Sequence, residues 1–213
     1  METNFPFVGR SHQAASMLHL LETARSEMLA VFGRRRVGKT ELVWKVLGNR
    51  FDFEITGIQH GSTASQLENF AHKFNEYAKP TIPLETPRNW QDAFQHLKLW
   101  LGRKRSKKKM VLFFDELPWM ATPRSNFLEL LGHFWNDRAV RNNVLLIICG
   151  SAASWMIRHV VHHKGSLHNR ITHQIHLKPF TLAETELLLR SKGIHLEKAQ
   201  IIQLYMVTGG IPF

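Results

Sequence analysis

A chain of 213 residues, 44% hydrophobic and 21% charged, has globular composition and length enough to bury a core without staples. Its one cysteine, Cys149, excludes an internal disulfide, and no apolar run reaches the roughly 18 residues of a membrane span. The net charge of +11 is uneven, with six positive charges at Arg103, Lys104, Arg105, Lys107, Lys108 and Lys109 and three more at Arg34 to Arg36, so the remaining surface is nearly balanced.

Apolar runs of strand length alternate with longer helical stretches, which predicts an α/β fold around a mainly parallel sheet. Residues 11–24 read as a helix with Ala15, Leu18, Leu21 and Ala24 on one face. Residues 28–32 read as a strand broken by Gly33, and 40–47 as a helix stopped by Gly48 and Asn49. A second strand over 51–55 precedes helices over 63–78 and 88–101, with Pro80, Pro83 and Pro87 in the turn between them. The runs 110–114 and 144–148 are unbroken apolar, as in strands covered on both faces. Between them lies a helix over 125–138, whose aromatic-rich part from Phe127 to Trp135 reads as packing on the sheet. A short helix over 152–161, a His-rich loop, a fifth strand over 174–177 and helices over 181–192 and 196–207 complete the chain. The final Gly209-Gly-Ile-Pro-Phe213 reads as a cut through a larger protein, and METNFPFVGR lacks the pattern of a signal peptide. The expectation is a soluble, cytoplasmic domain.

Gly33-Arg34-Arg35-Arg36-Val37-Gly38-Lys39-Thr40 fits the G-x-x-x-x-G-K-[ST] pattern between an apolar strand and a helix. Glycines let the backbone curl so that successive N–H groups face a phosphate, and the helix N-terminus faces the same anion. Lys39 would bridge the β- and γ-phosphates, Thr40 would coordinate magnesium, and Glu41 follows in the first helical turn. The run Val111-Leu-Phe-Phe-Asp115-Glu116 supplies two carboxylates at a strand end: Asp115 for the magnesium, Glu116 to polarise an attacking water. Glu54, on a shorter and more polar strand, is the lesser candidate. A third buried strand ends at Gly150-Ser151, where the hydroxyl either senses the γ-phosphate or merely starts a turn.

Together, Phe7-Val-Gly9-Arg10, the triple-arginine phosphate loop, Phe114-Asp-Glu-Leu-Pro-Trp119, Gly150-Ser151 with Trp155-Met156, Arg170, Leu177-Lys-Pro-Phe180 and Gly209-Gly-Ile-Pro212 resemble a known group. The chain is similar to prokaryotic AAA-type P-loop ATPases related to STAND signalling NTPases and, more distantly, to archaeal origin-recognition ATPases. The resemblance implies a P-loop NTPase three-layer αβα sandwich with a five-stranded parallel sheet over residues 1–180. The strand ending at Ser151 would lie between the phosphate-loop and Asp-Glu strands, and a helical lid would begin over 181–213. It further implies that Gly9 and Arg10 sit near the adenine. Arg170 would act near the γ-phosphate, within the chain or on a neighbouring copy by self-association.

The run Arg103–Lys109 could contact nucleic acid, although a solvated connector is the commoner use of such a run. His159, His162, His163 and His168 have no cysteine or carboxylate partners at ligand spacing, which argues against zinc. Cys149 reads as core. The leading expectation is therefore magnesium-dependent ATP hydrolysis. The alternatives are a slow or non-hydrolysing nucleotide switch and a DNA-associated ATPase; ATP is preferred over GTP through the resemblance alone.

Overall fold

The computed structural model describes residues 8–104, 108–137, 143–162, 165–167 and 169–212; Phe7, Arg105, Lys107, His163 and His168 of the sequence reading lie outside them. Five strands, β1 (Glu27–Phe32), β2 (Phe53–Thr56), β3 (Met110–Asp115), β4 (Val144–Gly150) and β5 (His173–His176), form one sheet in the order β2-β3-β4-β1-β5. Every pairing is parallel. Strands β1, β3 and β4 are buried along their whole length, which is why they read as unbroken apolar runs.

Successive residues face opposite sides of the sheet and so divide the core in two. Leu29, Val31, Val111, Phe113, Leu145 and Ile147 pack with Met17 and Leu20 of α1 (Ser11–Glu22) and Leu42, Val43 and Leu47 of α2 (Lys39–Leu47). On the other face, Phe32, Phe53, Leu112, Phe114 and Ile148 meet α3 (Thr63–Ala78), α4 (Trp90–Arg103) and α6 (Phe127–Asp137). That layer is aromatic: Trp90 packs edge-on against Phe127 at 4.6 Å, and Phe94 stacks on Phe134 at 5.4 Å. The expected three-layer αβα sandwich is thus the observed one. Its β4 lies between β1 and β3, as the resemblance implied.

Element ends differ from the expectation for local reasons. The helix expected from residue 88 starts at Trp90, because the Asn89 side chain accepts the Asp92 N–H at 2.9 Å. The helix expected from 125 starts at Phe127, because Asn126 is left-handed with φ 51°. A single turn, α5 (Leu117–Met120), with Pro118 in its first turn, was not foreseen. The helix over 152–161 begins as α7 (Ala153–Met156) and widens into a π-turn over Ile157–Val161. Two more helices, α8 (Leu182–Ser191) and α9 (Lys198–Thr208), follow β5. A reciprocal capping box between Thr181 and Glu184 opens α8, and Phe180 N donates to Gly210 O at 2.8 Å, closing the pair onto the exit of β5.

Candidate active site

At the carboxyl end of the sheet, where open parallel sheets bind ligands, a cleft of about 690 Å3 is lined by Arg35, Arg36, Gly38, Lys39, Thr40, Glu41, Trp44, Glu116 and Ser151. The loop from β1 to α2 forms one wall. A side chain at Gly33 would strike Leu177 O at 2.1 Å, so only glycine lets the loop pass under the exit of β5. Gly38 is left-handed at φ 86° and leads directly into α2. Val37 points into the core and anchors the loop, leaving Arg34, Arg35 and Arg36 exposed. Lys39 is 6% exposed and its Nζ donates to Arg34 O at 2.9 Å. Glu41 stays exposed, 3.9 Å from Lys45.

The opposite wall is the end of β3. Thr40 Oγ1 donates to Asp115 Oδ2 at 2.7 Å, joining residues 75 positions apart in sequence. Asp115 is buried, and its Oδ1 accepts the Glu116 N–H at 2.9 Å. Glu116 is left-handed, with φ 48°, a strained conformation for a side-chain-bearing residue that aims its carboxylate at the cleft. Ser151 donates to Glu116 Oε2 twice, from its hydroxyl at 2.8 Å and from its backbone N–H at 3.1 Å. The β4 hydroxyl that sequence left between sensor and turn therefore engages the acidic pair directly. Burial pushes the Cys149 thiol well above its ordinary pKa, and the charge of Asp115 and a hydrogen bond to it act in the same direction, so Cys149 is a neutral core residue behind Asp115.

Two expected residues, Arg10 and Arg170, are not among those lining the cleft. The guanidinium of Arg10 is 5% exposed; it donates to Lys178 O at 2.7 Å and lies 4.4 Å over the Phe180 ring. Gly9, left-handed at φ 76°, lies against the Glu184 side chain, which would be 3.0 Å from an added Cβ. Arg10 thus clamps the segment before α1 to the β5–α8 connection. Arg170 is exposed ahead of β5, at the opposite end of the sheet. Thr172 N donates to Met28 O at 2.9 Å, so Arg170 is level with the start of β1, about 16 Å from the phosphate loop by strand rise.

The basic run is also partly committed. Lys104 pairs with Asp52 at 2.7 Å and lies over Trp100, while Lys109 Nζ donates to Leu20 O, Thr23 Oγ1 and Arg25 O at 2.6, 2.6 and 2.8 Å. Glu54 accepts from Trp44 Nε1 at 2.8 Å and from the Tyr77 hydroxyl at 3.2 Å; burial and this carboxylate push Tyr77 up to about 12. Its role is to tie α2 to α3. Among the described residues, no group of three or more His, Cys, Asp or Glu could hold a metal ion.

Sequence reasoning missed three contributors. Trp44, four residues after Thr40, is 49% exposed and lines the cleft; an aromatic on the solvent face of the helix after a phosphate loop was the available signal. Trp119 and Gln59 meet the Arg35 guanidinium, at 5.8 Å to the ring and 3.3 Å to Oε1. Gln59 reaches it because buried Gln66 grips both backbone groups of Ile58. Nothing in the spacing announces that.

A hydroxyl and a carboxylate already in contact, beside an ammonium and a curled glycine loop, suit a hard divalent cation with a polyphosphate. The model for a family described as an ATPase domain predominantly from Archaea matches residues 7–213. Three solved structures are similar in fold. The Walker-type ATPase PABY2304 of Pyrococcus abyssi is 19% identical at TM-score 0.63, over 96% of this chain and 64% of that one. The ORC2 protein of Aeropyrum pernix, solved as ADPNP and ADP complexes, is 14% identical at TM-score 0.59, over 90% and 52%. A STAND protein with a tetratricopeptide repeat sensor from Pyrococcus horikoshii is 19% identical at TM-score 0.52, over 97% and 28%. The chain therefore spans less than two thirds of each. No described helix is long and apolar enough to cross a membrane.

Proposed function

This chain belongs to that family of ATPase domains found predominantly in Archaea, and we propose that it binds ATP with magnesium and hydrolyses the γ-phosphate in the AAA manner. The observation that carries the reading is the 2.7 Å bond between Thr40 and Asp115, which brings the two halves of a phosphate site together beside Lys39 and Glu116.

The backbone N–H groups between Gly33 and Thr40, with Lys39 Nζ, hold the β- and γ-phosphates. Thr40 and Asp115 would hold the magnesium, which when bound neutralises charge on the phosphate oxygens. Glu116 orients a water and takes its proton as the water oxygen bonds to the γ-phosphorus; the bond to the β–γ bridging oxygen breaks and ADP leaves. The α8–α9 pair, closed onto the exit of β5 beside the phosphate loop, is the start of a helical lid over that site. Arg170 would serve only a neighbouring copy.

A second reading has its own observation. Ser151 occupies Glu116 Oε2 through both donors, so turnover requires that the carboxylate be released. A chain in which it is seldom released is a nucleotide switch of STAND type.

Magnesium-dependent ATP hydrolysis by the chain and by Glu116→Gln, with ATP affinity measured on both, separates these. The ATPase reading expects kcat to fall about 100-fold or more in the variant with affinity retained. Tight ATP binding by both without turnover would establish the switch. Failure of the chain to bind ATP would refute both.

A further inference from the structure

Three arginines follow Gly33, and they differ in what holds them. Three arginines elsewhere show a firm tether: Arg10 donates to a backbone carbonyl, and Arg25 and Arg190 pair with Glu27 and Glu186. Arg35 is held more lightly than these three. Its guanidinium makes one long hydrogen bond, 3.3 Å to Gln59 Oε1, and lies 5.8 Å from the Trp119 ring. Both partners are neutral, and no described carboxylate forms an ion pair with it.

Its resting place is informative. Trp119 belongs to the single turn after β3, and its N–H donates to Glu116 O at 2.9 Å. The Arg35 side chain therefore rests against the turn that follows Glu116, three residues beyond the carboxylate that would orient the attacking water. Arg35, Lys39, Glu116 and Ser151 line the same cleft. A planar cation with five donors, held by one neutral acceptor and one ring, exchanges readily for phosphate oxygens, which it can grip in bidentate fashion.

We propose that Arg35 is a catalytic arginine supplied by the phosphate loop itself: on γ-phosphoryl transfer its guanidinium leaves Trp119 and Gln59 and bonds the equatorial γ-oxygens from the Glu116 side. The proposal rests on the ATPase reading above and names, within it, the group that Arg170 is too distant to provide in its own chain. Arg36 also lines the cleft, but no contact places it on the Glu116 side.

The test is binding of magnesium-ADP, with and without aluminium fluoride as a mimic of the planar γ-phosphoryl group, to the chain and to Arg35→Ala and Arg35→Lys. Aluminium fluoride should tighten ADP binding about tenfold or more in the chain and less than about twofold in both variants, since lysine cannot reproduce the planar fork. ADP alone should bind all three within about threefold. In turnover, kcat should fall about 100-fold or more in Arg35→Ala while KM for ATP moves little. Retained tightening in Arg35→Ala overturns the proposal. So does a parallel loss of ADP affinity, which would make Arg35 a builder of the loop. A chain that binds ADP yet shows no tightening also overturns it while leaving the nucleotide site standing; a chain that binds no nucleotide sinks the underlying reading as well.

Discussion

The two ends of this sheet both carry charge against the core, and they treat it in opposite ways. At the amino end, Glu27 is fully buried, with Arg25 Nε 2.8 Å from Oε1 and His173 Nδ1 3.7 Å from Oε2. Beside it, Lys109 gives all three of its hydrogens to the end of α1 and the turn after it. Those charges hold backbone together. At the carboxyl end, Lys39 donates to Arg34 O, on an exposed loop, and Thr40 and Asp115 contact each other beside an open cleft. Charge that grips backbone marks architecture here, and charge that faces an open cleft marks chemistry.

The contrast can be broken by substitution. Lys39→Ala should weaken ATP binding about 100-fold or more, roughly 2.7 kcal/mol or above, with Tm nearly unchanged. If the variant instead loses Tm by many degrees, Lys39 is architectural and the contrast fails. Lys109→Met, which keeps the apolar stem, should do the reverse. Leaving Leu20 O and Arg25 O to share the single Thr23 hydroxyl proton costs about 1–3 kcal/mol of stability, read as a lower denaturation midpoint with ATP affinity unchanged. A loss of ATP affinity there would tie the basic run to the site after all.

The same division explains what sequence made legible. The sheet and the phosphate loop were readable because their signals are local: unbroken apolar runs for Val111–Phe114 and Leu145–Ile148, and an eight-residue pattern between strand and helix. The roles of Lys109, Arg10 and Arg170 were not, because each depends on contacts across the fold. Lys109 meets carbonyls 84 and 89 residues away, and Arg10 meets one 168 residues away. Arg170 was placed by its order in the chain, and only the bond from Thr172, two residues later, to Met28 O shows that it sits ahead of β5 at the amino end of the sheet. The grip of Ser151 on Glu116 needed β4 to lie beside β3 in space.

The smallest effect concerns Glu27 and sharpens the architectural half of the contrast. Burial raises the pKa of this carboxyl, but the hydroxyls of Thr172 and Thr23 and the guanidinium of Arg25 outweigh it, so the folded value lies below 4.5. A depressed carboxylate pKa means that the unfolded chain takes up the proton first as acid is added. Glu27 therefore contributes stability above about pH 4.5, lost as the pH falls through the folded value. Glu27→Gln removes that titration and keeps the shape. Denaturant midpoints taken from about pH 6 down to about pH 3 should fall less steeply for the variant than for the chain, with the difference confined to the acid side. Parallel slopes would mean that Glu27 is held as firmly protonated as ionised. Its partners would then be packing around a side chain, not stabilising a charge.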